Sequence, residues 1–277
     1  MAAPDQPRRL IVNADDFGRS PSINEAVARA HREGILTSAS LMVNEPHAAE
    51  GVSIARQNPQ LGVGLHLALV CGRSALSKKK IPALTNSRNE FSNNAVAAGL
   101  HFFFNPRLKE QLFSEIESQF QKFRATGLFL DHVNGHLNIH LHPTVFAILR
   151  ENAVRWGITR LRLTSDPLGL NFKLARGHFF YRLSHGIIYK SLSKWARPQL
   201  RRAQIRHTKK VFGLLQNGRV DEKFIAELLP LLPPGDSELY SHPSLTEFKN
   251  EFDALISPRI KTLVKSSGIQ LIRYQDL

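Results

Sequence analysis

Residues 8–18 read RRLIVNADDFG, an apolar run that ends in two adjacent carboxylates and a glycine. The run predicts a short buried strand that stops at the carboxylates, after which Gly18 turns the chain. Ser22 and Glu25 then form a capping-box pattern, and apolar residues recur at helical spacing until Gly34. The stretch therefore predicts a strand, a turn and a helix in succession.

The same alternation continues to the end of the chain. Strands are predicted at 37–43, 61–69, 128–131, 160–163, 238–241 and 269–272, and helices at 46–57, 106–123, 143–156, from about 221, and at 246–265. Strands that alternate with helices indicate an α/β fold with a parallel sheet, either open or closed into a barrel. Residues 70–104 are expected to be a loop-rich connection and residues 165–220 an insertion.

Composition narrows the class of protein. Hydrophobic residues make up 42% of the 277, which is enough for a full core and argues against global disorder. The single cysteine, Cys71, excludes an internal disulfide and a cysteine-rich metal site, and it fits a reducing compartment. The polar N-terminus lacks a signal-peptide pattern, and no apolar run approaches the roughly 18 residues of a membrane span. We therefore expect a cytoplasmic protein.

The net charge of +14 is concentrated in one segment. Between Asp166 and Asp221 there is no acidic residue, whereas twelve lysines and arginines occur there, interleaved with aromatic residues. Such a composition is typical of a segment that lies on anionic lipid. It would also suit a nucleic-acid surface or a solvated helical lid. Of these we favour peripheral contact of residues 172–210 with the inner membrane.

The candidate chemistry begins at Asp15 and Asp16. Two adjacent carboxylates at the end of a buried strand are costly unless a cation or a hydrogen-bond donor compensates them. They could form a turn or a helix cap before Gly18, or one could hold a metal while the other transfers a proton. The second interpretation requires a bend at Phe17-Gly18, because neighbouring side chains in a strand point to opposite faces.

Histidines mark two other strand ends. His66 lies in an apolar run whose flanking glycines, Gly62 and Gly64, indicate close approach of a backbone or a ligand. His242 ends the predicted strand 238–241. Each alone is more typical of a structural residue. Active sites in parallel α/β folds gather at the carboxyl ends of strands, so together the histidines favour function.

Residues 131–143 read DHVNGHLNIHLHP, with His or Asn at every even position from 132 to 142. In an extended backbone this pattern places the imidazoles and amides on one face and the apolar side chains on the other. Several neutral nitrogen ligands directed at one point are typical of a zinc or iron site. A solvated histidine-rich loop is the alternative, although the apolar face favours burial.

Taken together, these segments resemble the YdjC-like carbohydrate deacetylase family. The matching motifs are NADDFG at 13–18, TSASLM at 37–42, GLHL at 64–67, the segment around His136 and His140, and SHP at 241–243. The likeness spans nearly the whole chain apart from 70–104 and the basic segment, and it is greatest to the branch associated with hopanoid biosynthesis. It implies one domain over residues 1–277, a distorted (β/α) barrel resembling polysaccharide deacetylases, with a basic helical insertion at about 165–220.

The resemblance also implies the roles of the site residues. Asp16, His66 and His136 would hold one divalent ion, Mg²⁺ or Zn²⁺. Asp15 would be the general base and His242 the general acid.

This chain departs from the family pattern around its third metal ligand. The family reads Asp-Ser-His where this chain has Asn134-Gly135-His136, and Asn138 stands where many members have a second histidine. His140 and then His132 are therefore alternative ligands. Otherwise His132, Asn138 and His140 are expected beside the substrate or behind the metal ligands.

The implied activity is metal-dependent removal of an N-acetyl group from an acetylamino sugar, with a lipid-linked hopanoid glycoside as the candidate substrate. A hydrolase of another bond, such as a phosphoester, would favour a two-metal site with more carboxylates than these motifs offer. A nucleic-acid-binding protein would suit the pI of 10.3, but no recognised binding motif occurs. We therefore expect no nucleic-acid partner, and a homodimer is compatible with the sequence.

Overall fold

The computed structural model describes residues 6–174, 178–216 and 218–277. Within these ranges, seven parallel strands form one sheet. The strands are β1 (Arg8–Phe17), β2 (Ser38–Leu41), β3 (Gly62–Leu67), β4 (Val133–Gly135), β5 (Lys210–Phe212), β6 (Gly235–Ser241) and β7 (Gln270–Ile272). β1 is buried from Leu10 to its end, as expected for a parallel strand that is covered on both faces.

The strand order is β4-β3-β2-β1-β6-β5, and β7 also pairs with β1. The segment 159–165 joins the two edge strands. Its backbone bonds run from Val133 N to Arg160 O at 3.0 Å, from Leu161 N to Arg206 O at 3.0 Å, and from Val211 N to Ser165 O at 3.3 Å. The sheet therefore curls into a distorted barrel, which confirms the predicted α/β fold class.

Helices cover the outside of this sheet. Those in the described ranges are α1 (Pro21–Glu33), α2 (Ala48–Gln57), α3 (Ala95–Phe104), α4 (Lys109–Ala125), α5 (Pro143–Glu151), α6 (Ala153–Trp156), α7 (Leu168–Leu174), α8 (Phe179–Arg202), α9 (Glu222–Leu228), α10 (Lys249–Ile256) and α11 (Pro258–Ser266). The apolar stripe of α4 packs inward, where Phe120 stacks on Trp156 with ring centroids 4.6 Å apart. Of the helices in these ranges, none combines the length and apolar character needed to cross a membrane.

Two helix boundaries differ from the sequence prediction. The N-cap of α1 is Ser20, not Ser22, because the Ser20 hydroxyl accepts the Ile23 N–H at 3.3 Å. The predicted helix over 246–265 is two helices, α10 and α11. Pro258 has no N–H to continue α10, and the side chain of Ser257 caps the new helix instead.

Four predicted segments also differ in detail. Residues 128–131 are not a strand, and pairing with β3 is displaced to β4. Residues 160–163 pair only through isolated bridges. The stretch 70–104, expected to be loop-rich, contains α3, whose apolar sequence and Asn94 cap the prediction overlooked. The basic stretch 165–220 contains β5, so part of it belongs to the sheet.

Candidate metal centre and active site

The two carboxylates at the end of β1 are separated by a backbone bend. Asp16 has φ 63°, in the left-handed region that non-glycine residues seldom adopt. The register with β2 shifts between Ala14 and Phe17, and the Asn24 side chain holds the turn by accepting the Gly18 N–H at 2.8 Å. The bend brings both carboxylates to the carboxyl end of the sheet, where Asp15 and Asp16 are both buried.

Asp16, His66 and His136 converge on one point. The Asp16 Oδ1 atom lies 2.9 Å from His136 Nδ1 and 3.3 Å from His66 Nε2. One potential ligand atom from each residue lies within 4.8 Å of those from the other two, and all three residues are buried. In the part of the chain that the structure describes, these three residues form a cluster of His and Asp side chains that could hold a metal ion.

The surroundings of His66 fit a bound cation. His66 Nδ1 lies 2.7 Å from the Asn134 Oδ1 atom, which accepts hydrogen bonds only, so Nδ1 carries the proton. Nε2 is buried without a hydrogen-bond partner and faces the Asp16 carboxylate. Burial disfavours protonation, but the carboxylates of Asp15 and Asp16 outweigh it and raise the pKa of His66. A proton and a divalent ion would therefore compete for the same lone pair.

Asp16 is held as an anion. Burial alone would raise its pKa, but the facing imidazoles of His136 and His66 outweigh burial and keep the pKa of Asp16 well below its ordinary value. The Arg19 guanidinium binds Asp16 Oδ2 at 2.9 Å. Oδ1 is therefore the oxygen directed at the point where the imidazoles converge.

Asp15 is bound by an arginine that sequence reasoning missed. Arg162 is fully buried and donates to Asp15 Oδ2 at 2.7 Å and to Oδ1 at 2.8 Å. Its guanidinium also donates to Glu238 Oε1 at 2.9 and 2.7 Å and lies 4.2 Å from the centre of the Tyr240 ring. The available signal was an arginine flanked by two leucines in a strand-like run. Its partners could not be inferred because they lie far away in sequence.

The pKa of Asp15 follows from this environment. Burial would raise it, but the Arg162 charge outweighs burial, and the pKa of Asp15 lies below its ordinary value. Oδ1 also accepts hydrogen bonds from the side chains of Asn13, at 2.8 Å, and Asn134, at 3.3 Å. Among the described residues, Oδ2 accepts only the Arg162 bond, so one lone pair of this oxygen remains for another donor.

Asn134 connects the ligand group to Asp15. Its oxygen accepts from His66 Nδ1, while its amide donates to Ser40 Oγ at 2.8 Å and to Asp15 Oδ1. A metal-binding imidazole usually donates its second N–H to such an acceptor, which fixes the ring orientation. A carboxylate at position 134 would place a second negative charge beside Asp15, whereas the amide supplies both an acceptor and a donor.

The expected alternation over 132–142 holds only at its start. After β4, residues 136–141 form a 3-10 helix in which Leu137 and Asn138 have φ of 51° and 57°. The prediction of one extended face was therefore wrong beyond Gly135. The Asn138 side chain accepts from Thr164 Oγ1 at 2.7 Å.

His132 and His140 lie outside the group of metal donors. The His132 Nε2 atom lies 2.9 Å from Ser40 Oγ, and its Nδ1 atom lies 3.0 Å from the Asp131 carboxylate. His140 Nε2 lies 3.0 Å from the Arg162 carbonyl oxygen. Burial lowers the pKa of His140 to about 3, so this ring is neutral. Both imidazoles are therefore buried side chains that hydrogen-bond to residues next to the site, Ser40 and Arg162.

His242 directly follows β6, which pairs with β1 on the side opposite to β2. Its backbone N–H donates to Glu251 Oε2 at 2.6 Å. The half-buried ring lies between Tyr240 and Phe248, with centroid distances of 5.9 and 6.0 Å. It is close enough to Asp15 that its charge contributes to the lowered pKa of that carboxyl.

Comparison with known proteins gives consistent matches. The family model described as YdjC-like protein matches residues 9–266. A carbohydrate deacetylase from Brevibacillus brevis is 36% identical over 153 residues, which are 54% of this chain and 57% of that protein. The chain thus spans little more than half the length of this relative. A carbohydrate deacetylase from Clostridium beijerinckii is 26% identical over 276 residues, covering 97% of this chain and 100% of the relative.

The fold has a close counterpart among solved structures. A candidate cellobiose-phosphate cleavage protein from Enterococcus faecalis V583 superposes with a TM-score of 0.75 over 98% of both chains, at 20% sequence identity. At this identity the likeness is one of fold.

Proposed function

Since the chain belongs to the YdjC-like protein family, we propose that it is a metal-dependent hydrolase that removes the N-acetyl group from an acetylamino sugar. One observation carries the proposal. Asp16 of β1, His66 of β3 and His136, which directly follows β4, converge on a single point at the carboxyl end of the sheet, beside Asp15 of β1. The relatives named carbohydrate deacetylase support the same reaction.

The three donors would hold one divalent ion. Two imidazoles and one carboxylate suit Zn²⁺, with Mg²⁺ as the alternative, and leave coordination positions open. When bound, the ion would polarise the amide carbonyl and make water more acidic. A single carboxylate ligand disfavours the two-metal arrangement expected for a phosphoester hydrolase.

The remaining steps are proton transfers by residues of this chain. Asp15 would accept a proton from the attacking water at Oδ2 while Arg162 fixes the direction of the carboxylate. The water oxygen bonds to the acetyl carbon, the C–N bond breaks, and His242 would give a proton to the departing amine. The products are acetate and the free amino sugar. Each such proton transfer typically contributes about 10²–10⁴-fold in rate.

We also propose that the sugar is lipid-linked, as in a hopanoid glycoside. The resemblance to the hopanoid-associated branch supports this, as do the exposed apolar helices described below. In this arrangement the sugar would reach the barrel while the lipid remains in a membrane.

Acetate release tests the reaction. The metal-loaded protein is incubated with N-acetylglucosamine conjugates, short chitin oligomers and lipid-linked forms. We expect Asp16→Ala and His66→Ala to lose bound metal and activity together. Asp15→Asn should keep the metal and lose turnover by about 10²–10⁴-fold. Asp253, which is exposed on α10, gives a matched control for the carboxylate, and Asp253→Asn should behave as the parent on soluble substrates. Near-normal turnover of Asp15→Asn would contradict its role as the base.

A further inference from the structure

Exposed apolar side chains are concentrated on two helices of this protein. On α3, Phe104 is 74% exposed, and on α8, Phe180 is 84% exposed. The other large apolar side chains exposed on these helices are Val96, Leu100, Phe103, Phe179, Ile187, Ile188 and Trp195. Single exposed apolar residues are ordinary, whereas a concentration of this kind marks an interaction surface.

Both helices pack against α5. On one side, Thr144 Oγ1 of α5 donates to the Phe102 carbonyl oxygen of α3 at 3.1 Å. On the other side, the Phe146 ring of α5 packs on Trp195 of α8 with centroids 5.1 Å apart. α3 and α8 therefore flank the same helix.

α3 and the first part of α8 also stand at the end of the barrel where Asp16, His66 and His136 converge. α3 lies in the connection that leaves the carboxyl end of β3, and α7 and α8 follow the carboxyl end of the segment 159–165, which runs parallel to β4. Tyr189 of α8 donates to the Leu137 carbonyl oxygen at 3.1 Å. Leu137 is itself exposed and is the direct neighbour of His136. The apolar helices therefore border the entrance to the candidate active site.

The charge on this surface has one sign. Lys190 and Lys194 are exposed on α8. Neither α3 nor the segment from 167 to 220 contains an acidic residue. Aromatic and aliphatic side chains beside unopposed cations are the chemistry that recognises an anionic lipid surface, in which apolar groups enter the acyl boundary and cations meet the headgroups.

We propose that α3 and the exposed face of α8 form one docking surface for an anionic lipid bilayer, with the candidate active site opening beside it. Docking itself does not depend on the reaction proposed above. Only the further statement that docking delivers a lipid-linked acetylamino sugar rests on that function.

Vesicle co-sedimentation of the full chain tests the docking. The vesicles contain equal parts of phosphatidylcholine and phosphatidylglycerol, with pure phosphatidylcholine as the neutral reference. Binding is expected to the anionic vesicles and to weaken as salt is added. Phe104→Ser and Phe180→Ser should each weaken it about tenfold, the effect of withdrawing roughly half of a phenylalanine side chain from lipid. Lys194→Ala should weaken it about fivefold.

The matched control is Phe129→Ser. Phe129 is 66% exposed but precedes β4 and so stands at the opposite, amino end of the strands. This variant should bind vesicles as the parent does. All the substituted side chains are exposed, so each variant should keep the far-ultraviolet circular dichroism of the parent.

Four results would overturn the proposal. The first is failure of the parent to bind anionic vesicles at low salt. The second is equal weakening by Phe129→Ser and Phe180→Ser. The third is self-association of the parent that Phe104→Ser abolishes, without vesicle binding. The fourth is salt-dependent binding of random DNA, again without vesicle binding. Acetate release from soluble substrates, measured without vesicles, separates failure of the reaction from failure of docking.

Discussion

Replacing Arg162 with methionine should destabilise this protein more than any substitution at its surface. The Arg162 guanidinium is the shared partner of the Asp15 and Glu238 carboxylates, all three residues are buried, and four hydrogen bonds join them. Methionine fills a similar volume but leaves two carboxylates without their cation.

The magnitude follows from the geometry. Removing one member of a buried ion pair typically costs about 3–5 kcal/mol, because the remaining charge stays desolvated. Arg162 compensates two such charges, so about 4 kcal/mol is a conservative value for the loss in free energy of unfolding. Natural domains are stable by about 5–15 kcal/mol, so the variant should be close to unfolding.

Urea denaturation at neutral pH, followed by circular dichroism, measures the loss. The matched control is the triple variant Arg162→Met, Asp15→Asn, Glu238→Gln, in which the uncompensated charges are replaced by neutral groups of the same shape. It should regain at least half of the lost free energy. A single variant that loses less than about 1 kcal/mol, the scale of an exposed ion pair, would refute the argument. So would a triple variant no more stable than the single one.

Three further predictions concern separate features of the structure. Burial raises the pKa of Asp166 to about 7, so between about pH 4 and 7 the folded chain retains a proton that the unfolded chain releases. The free energy of unfolding should therefore fall as pH rises through this range. Urea midpoints measured across the range should show this fall in the parent and lose it in Asp166→Asn. Asn134→Leu should weaken zinc binding about 10–100-fold, measured by calorimetric titration, because the ligand imidazole loses its orienting acceptor. Gly64→Ala should lower the free energy of unfolding by about 1–3 kcal/mol, because a Cβ there would lie 2.5 Å from the His132 carbonyl oxygen. Gly169→Ala is the control, since that position faces open space and should show no such loss in thermal denaturation.

The local sequence patterns predicted much of the fold. Apolar runs and helical spacing located most strands and helices, and the placement of polar residues at strand ends indicated the edge of the sheet at which Asp16, His66 and His136 meet. The glycine pattern around His66 was also informative, because the backbone at His132 does approach Gly64 closely. These features depend on neighbours in sequence, and propensity and spacing record them directly.

Other features depend on backbone torsions and distant partners. Periodicity assumed an extended chain through residue 142, but the left-handed torsions at Leu137 and Asn138 end the strand and turn His140 into the core. Arg162 was missed because it is 147 residues from Asp15 and 76 from Glu238. An isolated arginine in an apolar strand signals a buried partner but does not identify it.

The adjacency of Asp15 and Asp16 is explained by the two different cations that the fold directs at them. The left-handed torsion at Asp16 sends the two carboxylates to different partners. Arg162 compensates Asp15 and cannot lose its proton at any physiological pH, so this carboxylate stays ionised and oriented whether or not an ion is bound. Asp16 instead faces two imidazoles, whose protons an ion can displace. A permanent cation binds both oxygens of Asp15, whereas at Asp16 the permanent cation Arg19 binds only Oδ2 and leaves Oδ1 to an exchangeable one. This difference separates proton transfer from metal binding. For this reason metal loss and loss of turnover should be separable by substitutions at neighbouring positions.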